Sequence, residues 1–272
     1  MRRPPESVDA TQFTRVDDTR NTSFFVQFLD AATGIEGERQ VKELEIAMLA
    51  VDSGAWVLDV GCGIGDDARE IGGLVGPNGK VVGLDSSAAM IEESRKRASS
   101  SCLPVEFVQG DAYKLQFPDR SFDGARADRI FVHLQDPERA LYEMVRVLKP
   151  GGHVVVSDVD MGTCFIDSPH HETTRKVLNS FTDSLGSGWV GRSLPRIFRQ
   201  AGLLDVECVP RVLRASLAFL HKLIDGHLAD AGVAGSIATG ELGFWWEDLM
   251  RAEAEGHLHW GFSVFTVVGR KP

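Results

Sequence analysis

The sequence predicts an α/β fold built on a parallel sheet, on three observations. Strand-like and helix-like patterns alternate from about residue 55 to residue 157. One of the strands runs straight into the glycine turn Gly61-Cys62-Gly63-Ile64-Gly65. Three acids, Asp59, Asp85 and Asp111, recur every 26 residues, one per strand–helix unit, each at the expected carboxyl end of its strand. Strands separated by helices of this length lie parallel and are joined by right-handed crossovers.

The elements follow in order. Phe24, Phe25, Phe28 and Leu29 have the spacing of an amphipathic helix, and residues 20–50 are expected to form a helical lid behind a flexible tail at 1–15. Ala55–Val60 is an apolar strand after the turn Asp52-Ser53-Gly54. Lys80–Leu84, Val105–Val108, Phe122–Ala127 and His153–Ser157 supply four more strands. Asp136 as N-cap, Pro137 at the first helical position and the stop Lys149-Pro150-Gly151-Gly152 bracket the clearest helix. Leu194–Gln200 reads as a further helix, and Asp205–Val212 and Trp260–Val268 as late strands. Residues 162–192 and 216–258 do not fit a minimal sheet and read as cap insertions within one domain spanning 1–272.

Composition narrows the function classes. Of 272 residues, 29 are basic and 39 acidic, a net charge of −10, and no Lys/Arg block is present to neutralise phosphates; a nucleic-acid partner is not expected. No apolar stretch approaches the length of a membrane span, and Met1-Arg2-Arg3-Pro4-Pro5-Glu6 leads into no apolar run, so neither membrane insertion nor a signal peptide is expected. Cys62, Cys102, Cys164 and Cys208 are scattered without metal or disulfide spacing, which fits a reducing cytoplasm and predicts no metal site.

The glycine turn decides between cofactors. A dinucleotide rests its pyrophosphate on the helix after such a turn. Here that helix opens with Asp66 and Asp67, which would repel it, and the spacing is G-x-G-x-G rather than G-x-G-x-x-G. S-adenosylmethionine (SAM) carries an ammonium and a sulfonium and no phosphate, and it suits an acidic turn. Asp85 at the next strand end is placed to accept ribose hydroxyls, although it reads equally as a cap for the helix near Ser87. Asp111 suits an adenine amine or a turn after Gly110.

Taken together, Asp59-x-Gly61-x-Gly63-x-Gly65, Asp85-Ser86-Ser87, Gly110-Asp111-Ala112, Ser121-Phe122-Asp123 and Leu148-Lys149-Pro150-Gly151-Gly152 resemble the class I SAM-dependent methyltransferases. The resemblance is strongest to the menaquinone/ubiquinone-biosynthesis type and its natural-product relatives of secondary metabolism. It is specific over about residues 50–160. It implies a Rossmann-like, seven-stranded, mostly parallel sheet with an antiparallel last strand and helices on both faces. It also implies a cofactor site made by Asp59, Gly61, Cys62, Gly63, Gly65, Asp85, Ser86, Met90, Gly110, Asp111, Ala112, Ala127 and Asp128, with Met90 on the adenine and Ala127 and Asp128 near the sulfonium.

Methyl transfer from SAM is a direct displacement, and positioning alone contributes roughly 7–11 kcal/mol. A base is needed only where the acceptor must lose a proton. His133, after the fourth strand where the family often has histidine, is the first candidate base, with a structural role in the loop before Asp136 as its alternative. Asp160, after the fifth strand, is the second, and it suits a cap or an arginine partner as well. The fourth-strand exit Ala127-Asp128-Arg129 lacks the Asn/Asp-Pro-Pro-aromatic form of base and amide methylation. With Phe, Trp and Leu abundant in the caps, the expected acceptor is a small, hydrophobic or aromatic metabolite taking the methyl on O, N or C, and the expected assembly is a monomer or homodimer. SAM held in a non-methylating enzyme, such as a cyclase, is the alternative; a dinucleotide oxidoreductase ranks below it.

Overall fold

The computed structural model describes residues 8–19, 21–233, 235 and 237–272. An amino-terminal 3₁₀ segment, Ala10–Asp18, is kinked at Arg15. It precedes α1 (Thr22–Ala32) and α2 (Glu38–Leu49). The alternating region follows as β1 (Trp56–Val60), α3 (Asp66–Val75), β2 (Lys80–Asp85), α4 (Ala88–Ala98), β3 (Val105–Gln109), β4 (Phe122–Asp128), α5 (Pro137–Val147) and β5 (Leu148–Ile166). The rest is α6 (His171–Ser184), α7 (Val190–Gln200), β6 (Leu204–Arg214), α8 (Leu217–Val233), α9 (Thr239–Ala254) and β7 (Trp260–Arg270).

The seven strands form one sheet in the order β3-β2-β1-β4-β5-β7-β6. β1 to β5 pair in parallel, and β7 runs antiparallel to both β5 and β6. The chain leaves β1 toward β2 and β3, then returns to lay β4 on the other side of β1. Such a reversal opens a crevice at the carboxyl ends of the strands, where ligands bind in open α/β sheets.

Local chemistry explains the helices around it. The Asp136 side chain accepts from Arg139 N, with Pro137 in the first turn, and Ala140, Leu141, Met144 and Val147 turn one face of α5 into the core. Ser87 caps α4 through Met90 N. α3 starts directly from Gly65, which is left-handed, and buries Ala68, Ile71 and Val75.

Three expectations are corrected. The tail is not loose throughout residues 1–15: from Ala10 it is helical, with Ala10 and Val16 buried, because Phe13 and Val16 pack on the apolar face of α1; residues 1–7 lie outside the described residues. The fifth strand does not end at Ser157 but runs to Ile166, because β7 is long enough to pair Phe165 and Ile166 with Gly261 and Trp260 across a bulge. The segment 162–192 therefore begins as strand, continues as α6, and ends inside α7. Among the described residues no helix is long and apolar enough to cross a membrane.

Candidate active site

A cavity of about 420 Å³ opens at the crevice between β1 and β4. The strand ends form its floor, and the amino-terminal segment, α1, α6 and α8 form its cover.

One wall is built by the glycine turn and the end of β2. Gly61 N and Cys62 N donate to Leu84 O at 2.7 and 3.0 Å, tying the turn to the neighbouring strand. At Gly61 φ is +72° and a Cβ would lie 2.1 Å from Ile130 Cγ2, so only glycine allows this approach. Asp85 Oδ2 accepts from Gly63 N at 3.0 Å, and its Oδ1 accepts from Ser87 N at 2.9 Å. Each oxygen keeps a lone pair for a ligand hydroxyl. Burial raises the Asp85 carboxyl above its ordinary value, against these amide bonds. Ser86, Met90, Gly110, Asp111 and Ala112 continue the same wall. Asp111 Oδ1 accepts from Tyr113 N at 2.8 Å, closing a turn that presents the adjacent backbone.

The polar end of the cavity holds a charge network. Lys42 Nζ donates to Asp67 Oδ2 at 2.5 Å and to Asp128. Arg126, 3% exposed in the middle of β4, donates to Asp59 and Asp67 at 2.9 Å each and to Glu45. Arg129 pairs with Asp128 at 2.8 Å and with Glu38. Five acids thus face three cations. Glu45 Oε1 and Asp59 Oδ2 are the fully buried carboxylate oxygens without a partner, among the described residues. These two acids are also the ones whose carboxyls are raised. Burial pushes Asp59 up to about 6, and burial with the Asp128 charge pushes Glu45 up. Asp67 and Asp128 are buried too, but the surrounding cations hold both well below the usual carboxylate range. Glu45, Asp67 and Asp128 lie close enough together to suggest a metal site, yet one oxygen of each is already paired with the Lys42 ammonium or the Arg126 guanidinium.

The opposite end is apolar. Phe28, Phe181, Phe219, Phe262 and Met161 line it, with Phe13 across the top. His133 stands in this wall, its ring 5.3 Å from that of Phe13. Its Nδ1 is buried and has no partner among the described residues. Burial alone pulls its pKa down to about 4, so the ring is neutral at pH 7.

The structure brings Gly61, Cys62, Gly63, Asp85, Ser86, Met90, Gly110, Asp111, Ala112, Asp128 and His133 to the cavity. It corrects four other expectations. Asp59 is 1% exposed and paired with Arg126, its neighbour in register on β4, two residues below Gly61, where the lining at the end of β1 begins. Gly65 faces Phe107 and Ser94 rather than the cavity. Ala127 is buried in β4, and the lining at that strand end is Asp128. Asp160 is 0% exposed and receives Arg192 from its backbone N at 3.3 Å, from Nε and from Nη2 at 2.9 Å, so it is no free base. Asp66 and Asp67 do line the cavity, but Asp67 is neutralised by Lys42 and Arg126; the repulsion inferred from its sequence position is correspondingly weaker.

Sequence reasoning passed over Glu38, Lys42, Glu45, Arg126 and Arg129. Two signals for them were present. Arg126 stands between the small residues Ala125 and Ala127 in the buried stretch of β4, and Glu38 and Glu45 share the helix face of Val41 and Leu49.

Comparison with known proteins agrees with this geometry. Residues 57–152 match the family model described as a methyltransferase domain. An uncharacterized 37.1 kDa protein in transposon TN4556 of Streptomyces fradiae is 37% identical over 187 residues, 68% of this chain and 54% of that protein. The ubiquinone/menaquinone biosynthesis C-methyltransferase UbiE of Pseudomonas savastanoi pv. phaseolicola is 40% identical over 124 residues, 45% of this chain and 48% of the enzyme. The chain spans about half the length of these curated relatives. Among solved structures, the YcgJ protein of Bacillus subtilis shares the fold at a TM-score of 0.62 and 19% identity, covering 86% of this chain and 98% of that one. The similarity is thus to a methyltransferase domain over residues 57–152, and to the fold beyond it. One solved structure of this fold, phosphoethanolamine N-methyltransferase 2 of Haemonchus contortus, is in complex with S-adenosyl-L-methionine; it is 18% identical at a TM-score of 0.55, covering 85% of this chain and 52% of that one. The cavity fits S-adenosylmethionine: an anchored carboxylate for a diol, the apolar Met90 beside it, and a charged end with both signs present.

Proposed function

We propose that this chain transfers the methyl group of SAM to a small, apolar, uncharged acceptor held under the helical cap. One observation carries the reading: a single cavity joins the glycine turn and Asp85 at one end to an aromatic chamber at the other. The bound cofactor supplies an electrophilic methyl on a good leaving group. The chain's own residues hold and orient. Asp85 accepts the ribose hydroxyls, and Met90 packs on the adenine beside Asp111 and Ala112. Lys42 and Arg129 present positive charge to the amino-acid carboxylate, and Asp128 presents negative charge to its ammonium. The aromatic chamber excludes water and sets the acceptor behind the methyl, which is where most of the rate arises.

His133 is the base where the acceptor has a proton to lose. It is neutral, it lines the cavity beside Val132 and Leu134, and its ring lies against Phe13. Asp160 is withdrawn from that role by Arg192.

The test is incubation of the protein with SAM and a panel of quinols, phenols and terpenoid alcohols, reading S-adenosylhomocysteine (SAH) release. Release that depends on an apolar acceptor is the expected result. SAM bound but never converted to SAH, with an acceptor transformed nonetheless, would replace transfer by a non-methylating reaction.

A further inference from the structure

The amino-terminal segment does more than cover the cavity. Ala10, Phe13, Thr14 and Val16 line it, and Val16 is 2% exposed. The segment is wedged between α8 and α4. On the α8 side Gly226 admits Asp9, where a Cβ would come within 2.5 Å of the Asp9 Cβ. In its middle Phe13 meets Phe25 edge-on at 4.9 Å and Phe28 at 5.4 Å. On the α4 side the segment ends in one side chain, Asp17.

Asp17 Oδ1 accepts from Ser87 Oγ at 2.6 Å and from Ala89 N at 3.2 Å, and its Oδ2 accepts from Ala88 N at 2.7 Å. A carboxylate from 70 residues upstream therefore covers the amino end of α4, where free N–H groups and the helix dipole favour negative charge. Ser87 is at the same time the intrinsic cap of that helix, through Met90 N, and the donor to Asp85 through its own N–H. The hydrogen-bonded path runs Asp17–Ser87–Asp85, with one residue between the segment and the carboxylate that faces the cavity. Burial acts to raise the Asp17 pKa, yet the Ser87, Ala88 and Ala89 bonds prevail and hold it below the ordinary value. Its charge in turn pushes the Asp85 carboxyl up. Hydroxyl donors on Asp85 would offset that repulsion.

We propose that Asp17 is a positioning residue of the cofactor site: it latches the segment Ala10–Asp18 onto the start of α4 and so holds Ser87 and Asp85 where they grip the ribose. Closing the cavity and gripping the cofactor are then one event. The proposal rests on the reading of Asp85 as the ribose ligand.

The test uses the full-length protein, with SAH and its 2′,3′-dideoxy analogue as probes and dissociation rates read by stopped flow. Asp17→Ala is expected to speed SAH release about tenfold, the scale of a lost charged cap. Asp17→Asn retains an accepting oxygen and is expected to stay within about threefold of the wild type. For the dideoxy analogue, which offers Asp85 no hydroxyls, the Asp17→Ala effect shrinks to about twofold. A general loss of stability would not tell the two ligands apart. Equal acceleration of both ligands, or SAH release unchanged by Asp17→Ala, overturns the proposal. Should Asp17→Ala fail to fold, Asp17→Ser carries the same comparison with a side chain too short to reach Ala88. Wild-type protein that binds no SAH by calorimetry would overturn the cofactor reading itself, a result distinct from binding that is indifferent to residue 17.

Discussion

The two ends of the cavity solve opposite problems. The polar end crowds eight charged side chains beside the glycine turn and ties each to at least one partner. The apolar end holds one buried unpartnered polar atom among the described residues, His133 Nδ1, in a wall of aromatic rings. A cofactor with fixed charges is met by charges fixed before it arrives, and preorganisation spares the cost of arranging them on binding. A neutral acceptor is met by shape and by exclusion of water. The polar end should therefore be brittle to mutation and the apolar end tolerant in stability but sensitive in turnover.

The largest expected effect is at the hub of the polar end. Arg126→Met leaves Glu45, Asp59 and Asp67 without their shared cation and should cost about 3–5 kcal/mol of stability. Urea melts at pH 7 measure it. A loss under about 1 kcal/mol would mean that the network is not the brace described. At the apolar end, His133→Ala should lower turnover by about 10²–10⁴-fold with an acceptor that loses a proton, while SAH affinity stays within about twofold. Equal turnover would remove the histidine from the reaction. Asp85→Ala should weaken SAH by about ten- to a hundredfold in calorimetry, and the Gly63 and Ser87 N–H groups it leaves without an acceptor should lower the melting midpoint as well.

The smallest effect tests the contrast by its sign. His133 has its pKa lowered to about 4, so below its unfolded value the unfolded chain takes a proton that the native chain refuses. Stability from this site falls as pH drops from about 6.5 to about 4. Asp59, raised to about 6, behaves oppositely: the native chain keeps a proton that the unfolded one releases, and stability is lost as pH rises from about 4 through about 6. His133→Gln should flatten the acid limb of the stability profile, and Asp59→Asn should gain on the wild type at pH 8 relative to pH 5. If both variants shift the profile in the same direction, the two ends do not differ in the way described.

The same contrast explains what could be read from the sequence. Asp85, Gly61, Gly63 and Gly110-Asp111-Ala112 were legible because strand ends and glycine turns are local patterns, and the sheet order places local patterns at one crevice. Asp59 misled because it shares that pattern while sitting two residues deeper in register than Asp85, where its partner across the sheet is Arg126. Lys42 and Glu45 were hidden because their helix joins the site by tertiary packing, with no motif to announce it. The reach of β5 past Gly162 became visible only with the length of β7, its partner. The aromatic residues of the caps were legible as apolar but not as a chamber, since α6 and α8 meet only after the chain has folded over the sheet.

The helix α2 has one more consequence. The recognisable module begins at residue 57, yet Arg126 within it is held by Glu45, and Asp67 and Asp128 by Lys42, all from upstream of that boundary. A piece excised at residue 57 would carry a guanidinium into its core with part of its counter-charge left behind. The unit that must stay together is therefore larger than the stretch 57–152: a recombination joint at residue 57 would sever the molecule through its electrostatic centre, whereas one placed ahead of α2 would keep these ion pairs whole.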